Sequence, residues 1–387
     1  MEKMYLVRGA EVYAPEKIGK PDILVAAGKI LAVGQLEPWA KLNGVEIWDG
    51  TGMIATPGIV DQHVHILGGG GAAGFGSRGA ELTFSATIKA GVTTVVGCLG
   101  IDTLGRSPSE LVSKARSLKF RGLTCFCYVG GFDHPPVTVH TPAKRDIYMI
   151  DEVIGFGETA VSDFRSCHPT PLDIARLASN ALVAGRLAGK AGVTHLHMGP
   201  NKPGLQPVLD AVDLGEIPIK YILPTHLNRN RILLKQAEEW ARRGGFVDLS
   251  SNMLPDMYPG AVAPAEAAVE LMAAGVPKEL ITISSDGNGL HTLYGFDDVR
   301  VFPMTFLHSD LKALVHEQKV PLETALSFIT SNVAHAIAKP EKGHIREGGD
   351  ADILLMDPKT LDVRGVMARG TIWVRDGELV KHQIIDV

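Results

Sequence analysis

The pair His63-Val64-His65 has the most direct chemical use in this chain. Residues i and i+2 of a strand project from one face, so both imidazoles can reach a single metal ion. A second alternating pair, His195 and His197, repeats the pattern in Val193 to Met198, although only one of the two need be a ligand. His226 closes the run Leu223-Pro224-Thr225-His226, and Asp286 stands in Ser284-Ser285-Asp286-Gly287. Glu158 lies in Ile154-Gly155-Phe156-Gly157-Glu158, where a buried carboxylate is costly unless it is paired or bound to metal. Each residue alone has an ordinary structural explanation. Their shared position at the ends of apolar runs points to a metal-assisted site.

The elements that must position them alternate in type. Strands are predicted at Gly58 to His65, Val92 to Cys98, Leu123 to Val129, Val153 to Val161, Val193 to Met198, Ile222 to His226, Phe246 to Ser250 and Leu280 to Ser285. Helical windows separate them, for example Pro171 to Lys190 and Arg231 to Arg243, the second stopping at Gly244-Gly245. Eight strand–helix units predict an α/β fold, a (β/α)8 TIM-like barrel over 57–339, with active residues at the C-terminal strand ends. A Rossmann-type sheet fits less well, because no early G-x-G-x-x-G is present. Segments 1–56 and 340–387 are β-rich and lack helical periodicity, so they are expected to pair into a small β-sandwich domain. Asp297, Asp298 and Arg300 read as the capped start of a solvated helix.

Composition narrows the function classes. The chain has 387 residues, 45% of them hydrophobic, and a net charge of −5, which excludes a disordered chain and disfavours nucleic-acid or anionic-membrane partners. No apolar run reaches the ~18 residues of a membrane span. Met1 to Met4 leads straight into strand-like sequence rather than a signal peptide. Four cysteines in so long a chain make no disulfide framework, so a cytoplasmic location is expected. Cys125-Phe126-Cys127 reads as core, and Cys167 as a residue near the pocket without a nucleophilic role.

The ligand-type residues sit in longer stretches that carry a family likeness. These include Gly58 to His65, Gly68 to Gly71, Ala90-Gly91-Val92-Thr93, Ile150 to Gly155, His197-Met198-Gly199, Asn228-Arg229-Asn230 and Ser284 to Gly289. Through them the chain resembles the amidohydrolase superfamily and, within it, the β-aspartyl (isoaspartyl) dipeptidase family, nearly end to end. The resemblance implies a hydrolase of C–N bonds with two divalent ions, usually zinc. It assigns His63, His65 and Asp286 to one ion, His197 and His226 to the other, and a strand-four carboxylate to the bridge. Asp286 would carry a proton from the attacking water to the leaving amine. Arg165 and Arg229 match the arginines that hold the substrate carboxylate. A homo-oligomer acting on a small molecule is expected on the same basis.

Departures from the family are also legible. The bridging position, a carboxylated lysine in the better-known members, is Glu158, whose carboxyl carbon falls short by about 3–4 Å. A site assembled without bicarbonate follows. The family tyrosine thought to polarise the carbonyl aligns with Phe132, which cannot donate a hydrogen bond, and His134 is the preferred substitute over Tyr128. The glutamate that meets the substrate α-amino group aligns with Ala72, and a pocket threonine and serine align with Ile101 and Leu290. Those four replacements predict a carboxylate-bearing amide without a free α-amino group. Ring opening of a cyclic amide or imide and deamination of a purine-like ring are the rival reactions. A non-catalytic scaffold is disfavoured because every ligand position is filled.

Overall fold

The computed structural model describes residues 3–291 and 299–380. Eight strands run in the predicted places: β1 (Ile59–Val64), β2 (Val92–Gly97), β3 (Thr124–Val129), β4 (Val153–Val161), β5 (Val193–Met198), β6 (Ile222–Thr225), β7 (Val247–Ser250) and β8 (Ile281–Ser284). Nearly all their residues are buried on both faces, as expected of parallel strands covered by helices. The helices between them are α1 (Phe84–Lys89), α2 (Pro108–Arg121), α3 (Lys144–Met149), α4 (Pro171–Ala188), α5 (Gln206–Gly215), α6 (Arg231–Arg242) and α7 (Pro264–Ala273). α8 (Phe306–Lys312) follows β8. Local chemistry sets their ends. Ser107 with Glu110 and Thr170 with Asp173 form capping boxes that start α2 and α4, and Gly122 and Gly189 close the same helices in the left-handed conformation.

β1 to β6 make one parallel sheet in chain order, and β7 pairs with β8. Two seams join these pieces into a curled sheet with the strand order of a barrel. At one, Leu227 N–H donates to Asp248 O at 3.1 Å; at the other, Val64 bridges Gly287 and His65 N–H donates to Gly287 O at 2.9 Å. Side chains sew the interior where backbone pairing is thin. The buried Asp248 carboxylate accepts from Gln62 Nε2 (2.6 Å), Thr225 Oγ1 (2.6 Å), Thr282 Oγ1 (2.8 Å) and Ser284 Oγ (2.6 Å), which links β1, β6, β7 and β8. The main apolar core packs strand residues such as Val95 and Phe156 with helix residues such as Leu111, Ile174 and Trp240.

The two chain ends meet. Ile353–Met356 pairs antiparallel with Ile54–Pro57 inside a seven-stranded sheet built from both segments. A four-stranded sheet of N-terminal strands shares an apolar cluster with it, in which Tyr5, Val25 and Trp48 join Ile353 and Met367. Lys342 is buried and ion-paired to Asp350 (2.6 Å) and Asp352 (2.7 Å), and it also donates to Thr124 Oγ1 on β3. Arg300 departs from expectation. It lies in the short strand Arg300–Val301, paired with Leu290–His291, so backbone pairing to the pocket loop replaces the predicted helix. Asp297 and Asp298 lie outside the described residues. Among the described residues, no helix is long and apolar enough to cross a membrane.

Candidate metal centre and substrate pocket

The end of β1 delivers His63 and His65 to one point, as alternation requires. His63 Nε2 lies 3.3 Å from Glu158 Oε2 and 3.4 Å from Asp286 Oδ1. His65 Nε2 lies 2.9 Å from Asp286 Oδ1 and 3.5 Å from Glu158 Oε1. On the other side, His197 Nδ1 is 3.1 Å from Glu158 Oε2, and His226 Nε2 is 3.0 Å from His197 Nδ1. Glu158 is therefore common to two clusters, His63/His65/Cys98/Glu158 and Glu158/His197/His226, whose ligand atoms lie within 4.8 Å of one another. The short reach of glutamate is met by the backbone. The register between β4 and β5 shifts between Phe156 and Thr159, and the bulge carries the Glu158 carboxylate inward to the four imidazoles.

Each ring is held from behind, which decides which nitrogen faces the centre. His63 Nδ1 meets His195 Nε2 at 3.2 Å, His226 Nδ1 meets Ser250 Oγ at 2.7 Å, and His197 Nε2 meets Asp163 Oδ2 at 3.2 Å. Cys98 Sγ stands 3.9 Å from His65 Nδ1. His195 is thus a support beneath His63, stacked on Tyr128, while His197 is the member of its pair that reaches the centre. His226 and Asp286 take positive φ values of 61° and 52° at their strand ends, a strained conformation of the kind that gathers at functional sites.

A converging set of imidazoles and carboxylates is the donor chemistry of a transition-metal site, and the residues fit one on a further observation. Among the described residues His63 Nε2, fully buried, has no hydrogen-bond partner, and it lies 3.3 Å from the Glu158 carboxylate and 3.4 Å from that of Asp286. Charge follows the same geometry. Burial works against the charged forms of His63 and His65, yet Glu158, Cys98 and Asp286 hold His63, and Cys98 and Asp286 hold His65, well above the ordinary histidine range. Burial and the neighbouring His197 push His226 well below it, and burial with His63 does the same to His195. Against burial, His63 and its neighbours keep Glu158 and Asp286 well below ordinary carboxylates.

A cavity of about 280 Å³ opens above these residues. Ala72, Ile101, Phe132, Leu290, Arg165 and Arg229 all line it. The glycine run lets the first loop close over the site: a Cβ on Gly68 would fall 2.4 Å from Gly79 O, and one on Gly69 2.6 Å from Gly289 Cα. Phe132 packs on His197 with ring centroids 4.4 Å apart. His134 is not brought to the pocket. Its Nε2 faces Asp173 Oδ1 at 3.7 Å, and its N–H donates to Cys167 Sγ, because the chain turns outward after Phe132 toward the start of α4. Cys167 is likewise exposed and outside the lining, and Tyr128 is buried beneath the ligands.

The two arginines differ. Arg165 already holds a carboxylate, with Nε and Nη2 on Asp163 at 2.9 and 2.7 Å. Arg229 is buried, donates Nε–H to Met198 O at 2.8 Å, and among the described residues makes no ion pair. Burial lowers its pKa, and the Tyr258 ring lies 5.6 Å from its guanidinium carbon. Asp163, Asn252, Tyr258 and Cys98 were not singled out beforehand. Asn252 lies two residues past predicted strand seven, and Cys98 ends strand two, so strand-end position was an available signal for both. Tyr258 lies in the irregular connection before α7 and carried none.

No family model matches the chain. In structure it is similar to the β-aspartyl dipeptidase of Fervidobacterium islandicum AW-1 in complex with β-Asp-Leu dipeptide, with 38% identity, a TM-score of 0.90 and coverage of 98% of this chain and 99% of that one. A dihydropyrimidinase from Brevibacillus agri shares the fold, with a TM-score of 0.72, 16% identity and coverage of 98% and 96%. An adenine deaminase from Geobacillus kaustophilus is 23% identical over 93% of this chain, which spans 55% of that protein's length. A curled parallel β/α sheet with this histidine and carboxylate set at its strand ends defines an amidohydrolase. At 38% identity over essentially the whole of both chains, the protein belongs to the β-aspartyl dipeptidase family of that superfamily.

Proposed function

We propose that the protein hydrolyses the C–N bond of a small amide that carries a carboxylate and lacks a free α-amino group. One observation carries this reading. Among the described residues Arg229 stands buried and without an ion pair over the ligand cluster, and the side chains of Ala72, Ile101, Phe132 and Leu290 offer no acceptor for an ammonium. A desolvated ammonium there would be unpaired, whereas a carboxylate would find Arg229.

In this reading His63, His65, Asp286, His197, His226 and Glu158 would hold two divalent ions, zinc by donor type. Bound there, they supply activation of water and polarisation of the substrate carbonyl. The chain does the rest. Asp286, its Oδ1 toward His65, takes a proton from the attacking water and delivers it to the leaving nitrogen. Phe132 and the apolar wall exclude competing water. The paired chain ends form a separate small β-sandwich domain, and the enzyme works as a cytoplasmic homo-oligomer on a small molecule.

The test compares N-succinyl-L-leucine with β-aspartyl-leucine, which differs only by the α-amino group. N-Succinyl-L-leucine is expected to have the higher kcat/KM, and a clear preference for the free-amine dipeptide would sink the specificity. A second reading, ring opening of a hydantoin- or imide-type cyclic amide, draws on the small cavity of about 280 Å³. Including hydantoins, cyclic imides and adenine in the panel, with ammonia release measured, separates ring opening and deamination from linear amide hydrolysis.

A further inference from the structure

The end of β7 places Asn252 in the wall of the cavity, beside the proton-carrying carboxylate. It is 1% exposed, and its Nδ2 donates to Asp286 Oδ2 at 2.6 Å. A carboxylate only accepts, so the amide group has one sensible orientation, and Oδ1 must face away from Asp286. That oxygen is buried, and among the described residues it has no hydrogen-bond partner. The backbone leaves it little freedom to find one. Ser251 N–H is tied to Ser284 O at 2.9 Å, Met253 N–H to Ser250 O at 3.1 Å and Leu254 N–H to Asn252 O at 2.9 Å. Arg165 is paired with Asp163, while Arg229 gives its Nε–H to Met198 O and turns Nη2 toward His197 Nε2 at 3.4 Å rather than toward Asn252. A buried acceptor left unmade is costly, and native structures seldom keep one unless something else completes it.

We propose that Asn252 Oδ1 accepts a hydrogen bond from the N–H of the substrate amide, making Asn252 a substrate-binding residue that restricts the enzyme to amides bearing a proton on the scissile nitrogen. The inference rests on the hydrolytic reading above and sharpens its substrate class. The scissile nitrogen must come close to Asp286 to receive its proton, and the single Asn252 amide spans the distance, Nδ2 to Asp286 and Oδ1 to that nitrogen. Secondary amides, isopeptides and ring N–H groups satisfy Oδ1. Tertiary amides, including prolyl bonds, leave it buried and unpaired and are rejected.

N-Succinyl-L-leucine and its N-methyl analogue, identical at both carboxylates, isolate the contact. Wild type is expected to favour the N–H compound in kcat/KM by about 10²-fold or more, and Asn252→Ala to lower that ratio by about tenfold or more. An isosteric Asn252→Leu variant should lower it too. If both substrates lose rate equally in the variants, Asn252 serves only to hold Asp286 or the attacking water, and the proposal is overturned. Calorimetric binding of the same pair separates this inference from the hydrolytic one. Tighter binding of the N–H compound without turnover, abolished in Asn252→Ala, would keep the role of Asn252 and remove the hydrolytic reading. Equal binding of the two compounds to wild type would overturn the role of Asn252 whatever the turnover.

Discussion

The floor and the wall of one cavity are built on different principles. On the floor, the inward nitrogens of His63, His65, His197 and His226 face carboxylates, and the outward ones meet His195, Cys98, Asp163 and Ser250. On the wall, Ala72, Ile101, Phe132 and Leu290 offer shape and apolar surface, with few directional demands. Floor residues are interlocked, so changing one leaves a buried polar partner stranded. Exchange of an apolar wall side chain strands no hydrogen-bonding partner of its own. On the proposed reading, reaction class resides in the floor and substrate choice in the wall.

The largest expected effect attacks the floor directly. His226→Ala should lower kcat/KM by more than about 10³-fold and reduce bound metal measured by plasma emission, since several kcal/mol of transition-state stabilisation depend on the ligand cluster. Glu158 gives a companion test of the same surface. Metal-stripped enzyme should regain full activity with zinc in bicarbonate-free buffer, and a requirement for bicarbonate would show that a carbamate is needed after all. One layer out, Asp163→Asn removes the carboxylate behind His197 and releases Arg165. A loss of about 10- to 100-fold in metal affinity or turnover is expected, with a lower thermal stability as well, because Arg165 loses its buried carboxylate partner.

The wall should respond in specificity instead. Ala72→Glu combined with Phe132→Tyr should raise the kcat/KM ratio of β-aspartyl-leucine to N-succinyl-L-leucine by about tenfold or more while metal content stays constant. An unchanged ratio would mean that the pocket differs by more than these contacts. The smallest effect lies behind the wall, at Asp310 on α8, where burial lifts the carboxyl pKa to about 7 against a single hydrogen bond from Ser251. With its folded pKa above the unfolded value, Asp310 costs stability increasingly as pH rises from about 4 to 7, because only the unfolded chain releases the proton freely. Urea unfolding should show Asp310→Asn gaining about 1–3 kcal/mol over wild type at pH 8 and almost nothing at pH 4.

Much of the floor was legible in the chain. His63 and His65 share a face because strand side chains alternate, and Glu158 among glycines and apolar residues had no cheap explanation other than a partner. A helix end was legible for the same local reason, at Gly244-Gly245 just beyond α6 (Arg231–Arg242). The wall residues Arg165, Arg229, Ala72, Ile101, Phe132 and Leu290 were placed through the family likeness, and they do line the cavity. His134 was misplaced because proximity to Phe132 in sequence says nothing about the direction of the chain after a strand end. The expected helix at Arg300 gave way to a two-residue strand because pairing with Leu290–His291 outweighs local helix signals.

By itself the sequence determined the alternating architecture, the residues of the ligand cluster and the apolar character of the wall, since these depend on side-chain type and short-range periodicity. Tertiary structure decided depth and pairing. Alternation gives the face of His195 and His197 but not which one reaches the centre. Nor does it give the bulge that extends Glu158, the engagement of Arg165 by Asp163, or the hydrogen bond from the Asn252 amide to Asp286. Each of those depends on the register between strands distant in sequence, which is set by packing of the whole sheet rather than by any local pattern.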